Sequence, residues 1–215
     1  MKTRLAAAFV IVLSAGGPAA AHRLDEYLQA ATISVEKDRV RAELRLTPGV
    51  AVFPIVLASI DTDADGVISE AEQRAYAERV LRDLSLAVDG ERLVLRLVSL
   101  KFPGIDEMKQ GLGEIPIEFD ADLPRGGGER RLVFENHHQR RIAAYLVNCL
   151  VPRDPDIRIT AQKRNYEQSF YQLEYQQAGI RTGPLSAAWW SGAPGLLGAA
   201  TGLLFARLAF ARLIR

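Results

Sequence analysis

The residues best equipped for chemistry form one run, Asp61-Thr62-Asp63-Ala64-Asp65-Gly66-Val67-Ile68-Ser69-Glu70-Ala71-Glu72. Alternating aspartates put three carboxylates on the inside of a curling backbone. Gly66 allows the sharp turn that a Cβ would hinder. Val67 would add a backbone carbonyl, Ser69 a contact through water, and Glu72 two carboxylate oxygens. An all-oxygen set of six to eight donors is what the hard cation Ca²⁺ takes, at about 2.3–2.6 Å. Mg²⁺ demands a near-ideal octahedron and gives up its water reluctantly. The spacing is that of an EF-hand calcium loop, so Asp61, Asp63, Asp65, Val67, Ser69 and Glu72 are the expected ligands. Ser69 with Glu72 alone would also make a helix capping box. Three alternating aspartates ahead of a glycine go beyond what a cap requires. No second loop of this type follows in the sequence. Sensors usually pair their loops, so a structural ion held at about 10⁻⁴–10⁻³ M is expected.

A second constellation involves the three histidines, His22, His137 and His138. Cleavage after Ala21 would make His22 terminal. Its α-amine and imidazole would then suit Cu²⁺ or Ni²⁺, with His137 or His138 completing the site. The alternative is a frayed terminus and two histidines on a solvated turn beside Arg140 and Arg141. The single cysteine, Cys149, has no partner for an internal disulfide and reads as a small buried hydrophobe in the apolar run Ala143 to Val151. The sequence has no Gly-x-Ser-x-Gly elbow, His-Glu-x-x-His helix, phosphate loop or dinucleotide fingerprint. Glu135-Asn136-His137-His138 could supply a general base, yet no nucleophile accompanies it. An enzyme is not expected.

The elements that would position the loop are mostly strands. Arg39 to Leu46 alternates apolar and charged residues, the period of a strand with one buried face. Leu28 to Val35 precedes it across the turn Glu36-Lys37-Asp38. Asp89-Gly90 is a hairpin signal between Leu86–Val88 and Arg92–Phe102. Further strands are expected over Glu114–Phe119, Arg130–Phe134, Ala143–Leu150, Ile157–Gln162 and Gln168–Tyr175, with a loop at Gly126-Gly127-Gly128. Gly49 to Ile60 is nearly all apolar and reads as a buried helix despite Pro54. Glu70 to Leu84 has helical composition and spacing. The expectation is a mainly β, Ig-like β-sandwich over 22–180, with a helix-loop-helix EF-hand inserted at 49–84.

The two ends carry different signals. Lys2, Arg4, the apolar stretch Ala6 to Ser14 and Ala19-Ala20-Ala21 read as a signal peptide over 1–21. Ala187 to Ala206 is uncharged and about as long as a membrane span. Trp189 and Trp190 open it, and Arg207, Arg212 and Arg215 lie in the basic tail 207–215. A single C-terminal transmembrane helix with a cytoplasmic tail follows, placing the domain on the periplasmic face of the inner membrane. An amphipathic surface helix or a cleaved sorting tail are the other readings of this segment. Setting aside five basic residues at the ends leaves 22 of the 27 lysines and arginines against 26 acidic residues. That balance gives no reason to bind nucleic acid.

His22-Arg23-Leu24-Asp25-Glu26-Tyr27, the corner Leu46-Thr47-Pro48-Gly49, the loop Asp61 to Glu72, Glu135-Asn136-His137-His138 and Tyr145-Leu146-Val147-Asn148 share a resemblance. Together they resemble the extracytoplasmic N-terminal domain of bacterial membrane proteins of the HupE/UreJ type and of nickel/cobalt transporter relatives. The resemblance spans about residues 20–178. In those proteins several membrane helices follow; this chain offers one span at most, so transport does not carry over. The resemblance implies an accessory domain beside a separate metal transporter or another inner-membrane protein.

Overall fold

The computed structural model describes residues 25–178. The expected signal peptide, His22, the apolar segment 187–206 and the basic tail lie outside the described residues. Among the described residues no helix is long and apolar enough to cross a membrane.

The fold is mainly β, with two five-stranded sheets. The first strand, β1 (Tyr27–Val35), pairs antiparallel with β2 (Arg39–Pro48), with Tyr27 opposite Pro48 and Val35 opposite Val40. The turn between them is the one that Glu36-Lys37-Asp38 announced. The helices α1 (Phe53–Ile60) and α2 (Glu70–Arg82) follow, and then β3 (Leu84–Val88) and the short β4 (Glu91–Arg92). Next come β5 (Arg96–Leu100), α3 (Ile105–Lys109), β6 (Ile115–Asp122) and β7 (Gly128–Asn136). The chain ends in β8 (Ala143–Cys149), β9 (Ile157–Arg164) and β10 (Phe170–Gln177). One sheet has the order β5-β6-β2-β1-β8, the other β4-β3-β7-β10-β9. β8 joins β1 in parallel and closes one edge of the first sheet.

Two expectations need correction. Arg92 to Phe102 is not one strand: β4 belongs to one sheet and β5 to the other, with residues 93–95 crossing between them. The crossing chain keeps an apolar side throughout, so alternation alone could not reveal the change of sheet. The short helix α3 was not anticipated; it buries Met108 and is too brief to show a period.

The core lies between the sheets. Val40, Ala42, Leu44 and Leu46 of β2 face inward with Ile115, Ile117 and Phe119 of β6. From the other sheet come Leu84, Leu86, Leu132, Phe134, Tyr171 and Leu173. Burying each such side chain stabilises by roughly 1.5–3 kcal/mol. The two long helices extend the same core. α1 contributes Phe53, Val56 and Ile60, and α2 contributes Tyr76, Ala77 and Val80, the spacing of one helical face. Pro54 falls in the first turn of α1, where no backbone donor is lost to the helix.

Candidate metal centre

The loop between α1 and α2 brings the three aspartates together. One carboxylate oxygen from each of Asp61, Asp63 and Asp65 lies within 4.8 Å of the others. Local hydrogen bonds impose that curl. Gly66 N–H donates to Asp61 Oδ2 at 3.1 Å, Asp65 N–H to Asp63 Oδ1 at 3.2 Å, and Val67 N–H to Asp65 Oδ1 at 2.8 Å. Such side-chain acceptors for nearby N–H groups are what make aspartate a turn residue. The curl needs left-handed backbone at Gly66, φ 85°, which glycine adopts without cost. Ala64 takes φ 59° as well, a conformation that few residues with a Cβ visit.

The three carboxylates are not equivalent. Asp63 and Asp65 are exposed, whereas Asp61 is only 8% exposed and its Oδ1 has no hydrogen-bond partner. Its other oxygen already accepts from Gly66 N–H, so Oδ1 is the buried oxygen of the cluster left free to bind an ion. A buried carboxylate oxygen without a partner costs about 1–3 kcal/mol; a cation is the complement that chemistry supplies. At Asp63, the Asp65 N–H favours the charged form. Loss of some hydration inside the loop, the charges of Asp65 and Glu72 and the adjoining Asp61 carboxylate outweigh it, and the pKa stands above the usual carboxylate value. Crowding of like charge is thus already felt inside the loop.

Glu72 ties the loop's ends. Its Oε1 accepts from Thr62 N–H at 2.6 Å and from the Thr62 hydroxyl at 3.1 Å. Its Oε2 accepts from Ser69 N–H at 3.0 Å and the Ser69 hydroxyl at 2.8 Å, while Glu72 N–H donates to Ser69 Oγ at 3.3 Å. Ser69 and Glu72 therefore form the reciprocal capping box of α2. The Ser69 N–H, then its hydroxyl and the Thr62 N–H, lower the Glu72 carboxyl to about 2. All four acceptor positions of that carboxylate are in use. Bidentate binding to an ion would release the two hydroxyls, which can turn to water, and keep the two backbone donors. Val67 is 63% exposed, and Ile68 packs against the core and anchors the loop from below.

The sequence did not disclose how α2 is held. A buried polar relay runs from β1 through α2 to the turn after β7. Tyr27 and Tyr76 hydroxyls lie 2.6 Å apart, Tyr76 Oη lies 3.1 Å from His138 Nε2, and His138 Nδ1 lies 2.8 Å from Asp83 Oδ2. The Asp83 carboxylate requires a donor, which assigns the proton to Nδ1; Nε2 then accepts from Tyr76 and Tyr27 donates to Tyr76. Gln29 Nε2 and the Tyr145 hydroxyl donate to the His138 carbonyl at 3.0 and 2.9 Å. Asn136 connects Gln29 to the His138 N–H. Arg79 donates to the Ser59 carbonyl at the end of α1 and lies 5.6 Å over the Tyr76 ring.

This geometry fixes the place of the other residues singled out above. His138 is 4% exposed and both its ring nitrogens are engaged, so a transition metal would have to displace Tyr76 or Asp83. His137 is exposed, with Nε2 2.8 Å from Glu135 and the Arg140 guanidinium on Nδ1. Cys149 is half-buried, and burial pushes its thiol up to about 11, which keeps it protonated at neutral pH. No protein-family model, no curated protein and no solved structure matches the chain.

Proposed function

We propose that the Asp61–Glu72 loop binds one Ca²⁺ ion and that the ion works as a structural clip. In this reading the chain is an Ig-like sandwich with an EF-hand insertion, serving as a binding or accessory module at the periplasmic face of the inner membrane. The apolar segment 187–206 would be its anchor. The observation that carries the reading is the buried, unpartnered Oδ1 of Asp61 beside two further aspartates. A capping box explains Ser69 and Glu72, but it leaves that oxygen without a partner. The donor set contains only oxygen, which favours Ca²⁺ over softer metals. The loop joins two helices that both bury residues in the sandwich core, so closing it on an ion fixes their mutual angle.

Calorimetric titration of the full chain with CaCl₂ tests the reading. One ion per chain is expected, with the heat lost in Asp61→Ala and in Glu72→Ala. Full-strength uptake by both variants would place the ion elsewhere, and no uptake by the parent chain would end the calcium reading.

A further inference from the structure

Among the large apolar residues that stand exposed in the described part of the chain, only Leu150 and Val151 are neighbours in sequence, 52% and 88% exposed. Single exposed apolar side chains are ordinary on a protein surface. An adjacent pair at a loop tip marks a contact surface. The pair opens the loop between β8 and β9 and is followed by Pro152 and Arg153. The loop is not slack. Asp154 Oδ1 accepts from Asp156 N–H at 2.9 Å, Ile157 N–H donates to the Asp154 carbonyl at 3.1 Å, and Lys37 pairs with the Asp156 carboxylate. On the other side Leu150 N–H donates to the Ile33 carbonyl at 2.8 Å. Pro152 and Pro155 each fix a further backbone angle. The tip is therefore ordered before it meets a partner, which lowers the entropic cost of docking.

The place of the tip points to that partner. Ala178 N–H donates to the Asp156 carbonyl at 2.8 Å, and Gln177 Nε2 donates to the Lys37 carbonyl at 3.0 Å. The chain thus leaves the sandwich beside this loop. Residues 179–186 alone separate that exit from the uncharged segment 187–206, and a stretch of that length reaches at most about 30 Å. If segment 187–206 is the anchor, the bilayer surface lies within that reach of the exit. A short tether gives an effective concentration of millimolar order. Two apolar side chains, too few to hold a soluble protein on lipid, are then enough to dock a tethered one. Tyr166 makes the contrast. It is fully exposed, but β9 runs from Ile157, beside the exit, to Arg164, so the turn that carries Tyr166 lies at the opposite end of the sheet.

We propose that the tip Leu150-Val151-Pro152-Arg153 docks on the bilayer surface, with Leu150 and Val151 entering the boundary of the acyl chains and Arg153 staying among the headgroups; this rests on segment 187–206 being the membrane anchor. Arg153 is exposed and has no carboxylate within ion-pairing distance among the described residues, which leaves it free for lipid phosphates. Docking would turn the Val35–Val40 end of β1 and β2 towards the lipid. The Tyr27–Pro48 end, after which α1 follows, would point away from it.

The chain without residues 1–21 is reconstituted into vesicles of phosphatidylethanolamine and phosphatidylglycerol, in a Cys149→Ala background. Arg153→Cys, or Tyr166→Cys as the control, carries a nitrobenzoxadiazole label. A blue shift of the emission, and loss of intensity when the lipids carry a nitroxide, are expected at position 153 and not at position 166. Leu150→Asp with Val151→Asp should abolish both effects at position 153. Both positions are exposed, and an unchanged melting temperature confirms that the variant folds. Flotation on a sucrose gradient reads the anchor separately, and parent and variant should both float. A chain that floats with positions 153 and 166 alike, or with the double variant still quenched at 153, overturns the docking and leaves the anchor standing. A chain that does not float overturns both.

Discussion

Replacing Asp61 by asparagine should move stability in opposite directions with and without calcium. In the ion-free chain Asp61 Oδ1 is buried and unpaired within a cluster of three carboxylates. Removing its charge relieves part of a penalty of about 1–3 kcal/mol, and the new amide can donate to a neighbouring carboxylate. A gain of about 1 kcal/mol in EDTA follows, or roughly 2–4 °C for a chain of this size. With calcium the sign reverses. An ion bound at about 10⁻⁴–10⁻³ M and supplied at about 10 mM adds roughly 1.4–2.7 kcal/mol to the parent chain. That is an upward shift of about 3–10 °C, and Asp61→Asn should lose most of it. Differential scanning calorimetry of both proteins, in EDTA and in CaCl₂, reads all four values. The reasoning fails if calcium leaves the parent midpoint unchanged. It also fails if Asp61→Asn is less stable than the parent in EDTA, because the aspartate would then be held by something other than a missing cation.

Three further outcomes follow from the surroundings of the loop. Tyr76→Phe leaves His138 Nε2 and the Tyr27 hydroxyl without their buried partner and should cost about 1–3 kcal/mol, measured by urea denaturation. Ile60→Ala, fully buried at the end of α1, should cost about 2–5 kcal/mol and leave a cavity beneath the loop. Burial holds the His138 pKa below its usual 6.5, although the Asp83 carboxylate works to raise it. The folded chain then binds fewer protons than the unfolded one. The stability that His138 contributes is complete above about pH 6.5 and declines as the pH falls from there towards the folded pKa. Denaturation midpoints between about pH 7 and 5 should show this slope, and His138→Gln, less stable throughout, should lack it.

Much of the sandwich could be read from period-two alternation, because β1, β2, β6 and β7 each bury one face and wet the other. The loop was legible for a different reason: its donors are consecutive in sequence, so their spacing is their geometry. The crossing at Leu93 to Leu95 was hidden because leucines face covered surroundings on both sides of it. The relay was hidden more deeply. Tyr27, Tyr76, Asp83 and His138 come from four separate parts of the chain, and only the closed fold brings them within hydrogen-bonding distance. His138 in particular was legible as a ligand type and not as a buried structural group, since a histidine looks the same in sequence whichever nitrogen its neighbours occupy.

These two features act on opposite ends of one helix. The capping box and the aspartate cluster hold the start of α2; Asp83, which caps its end, is held by His138. Glu72 and Asp83 are eleven residues apart, about 16 Å along the axis. Sites that far apart with no shared partner should contribute independently, within about 0.3–0.5 kcal/mol. Asp83→Ala should therefore cost the same in EDTA as in calcium. Should its cost grow when the ion is bound, α2 shifts as a rigid rod between two dockings, and calcium reaches the relay through it. Should the costs agree, the ion fixes only the first turns.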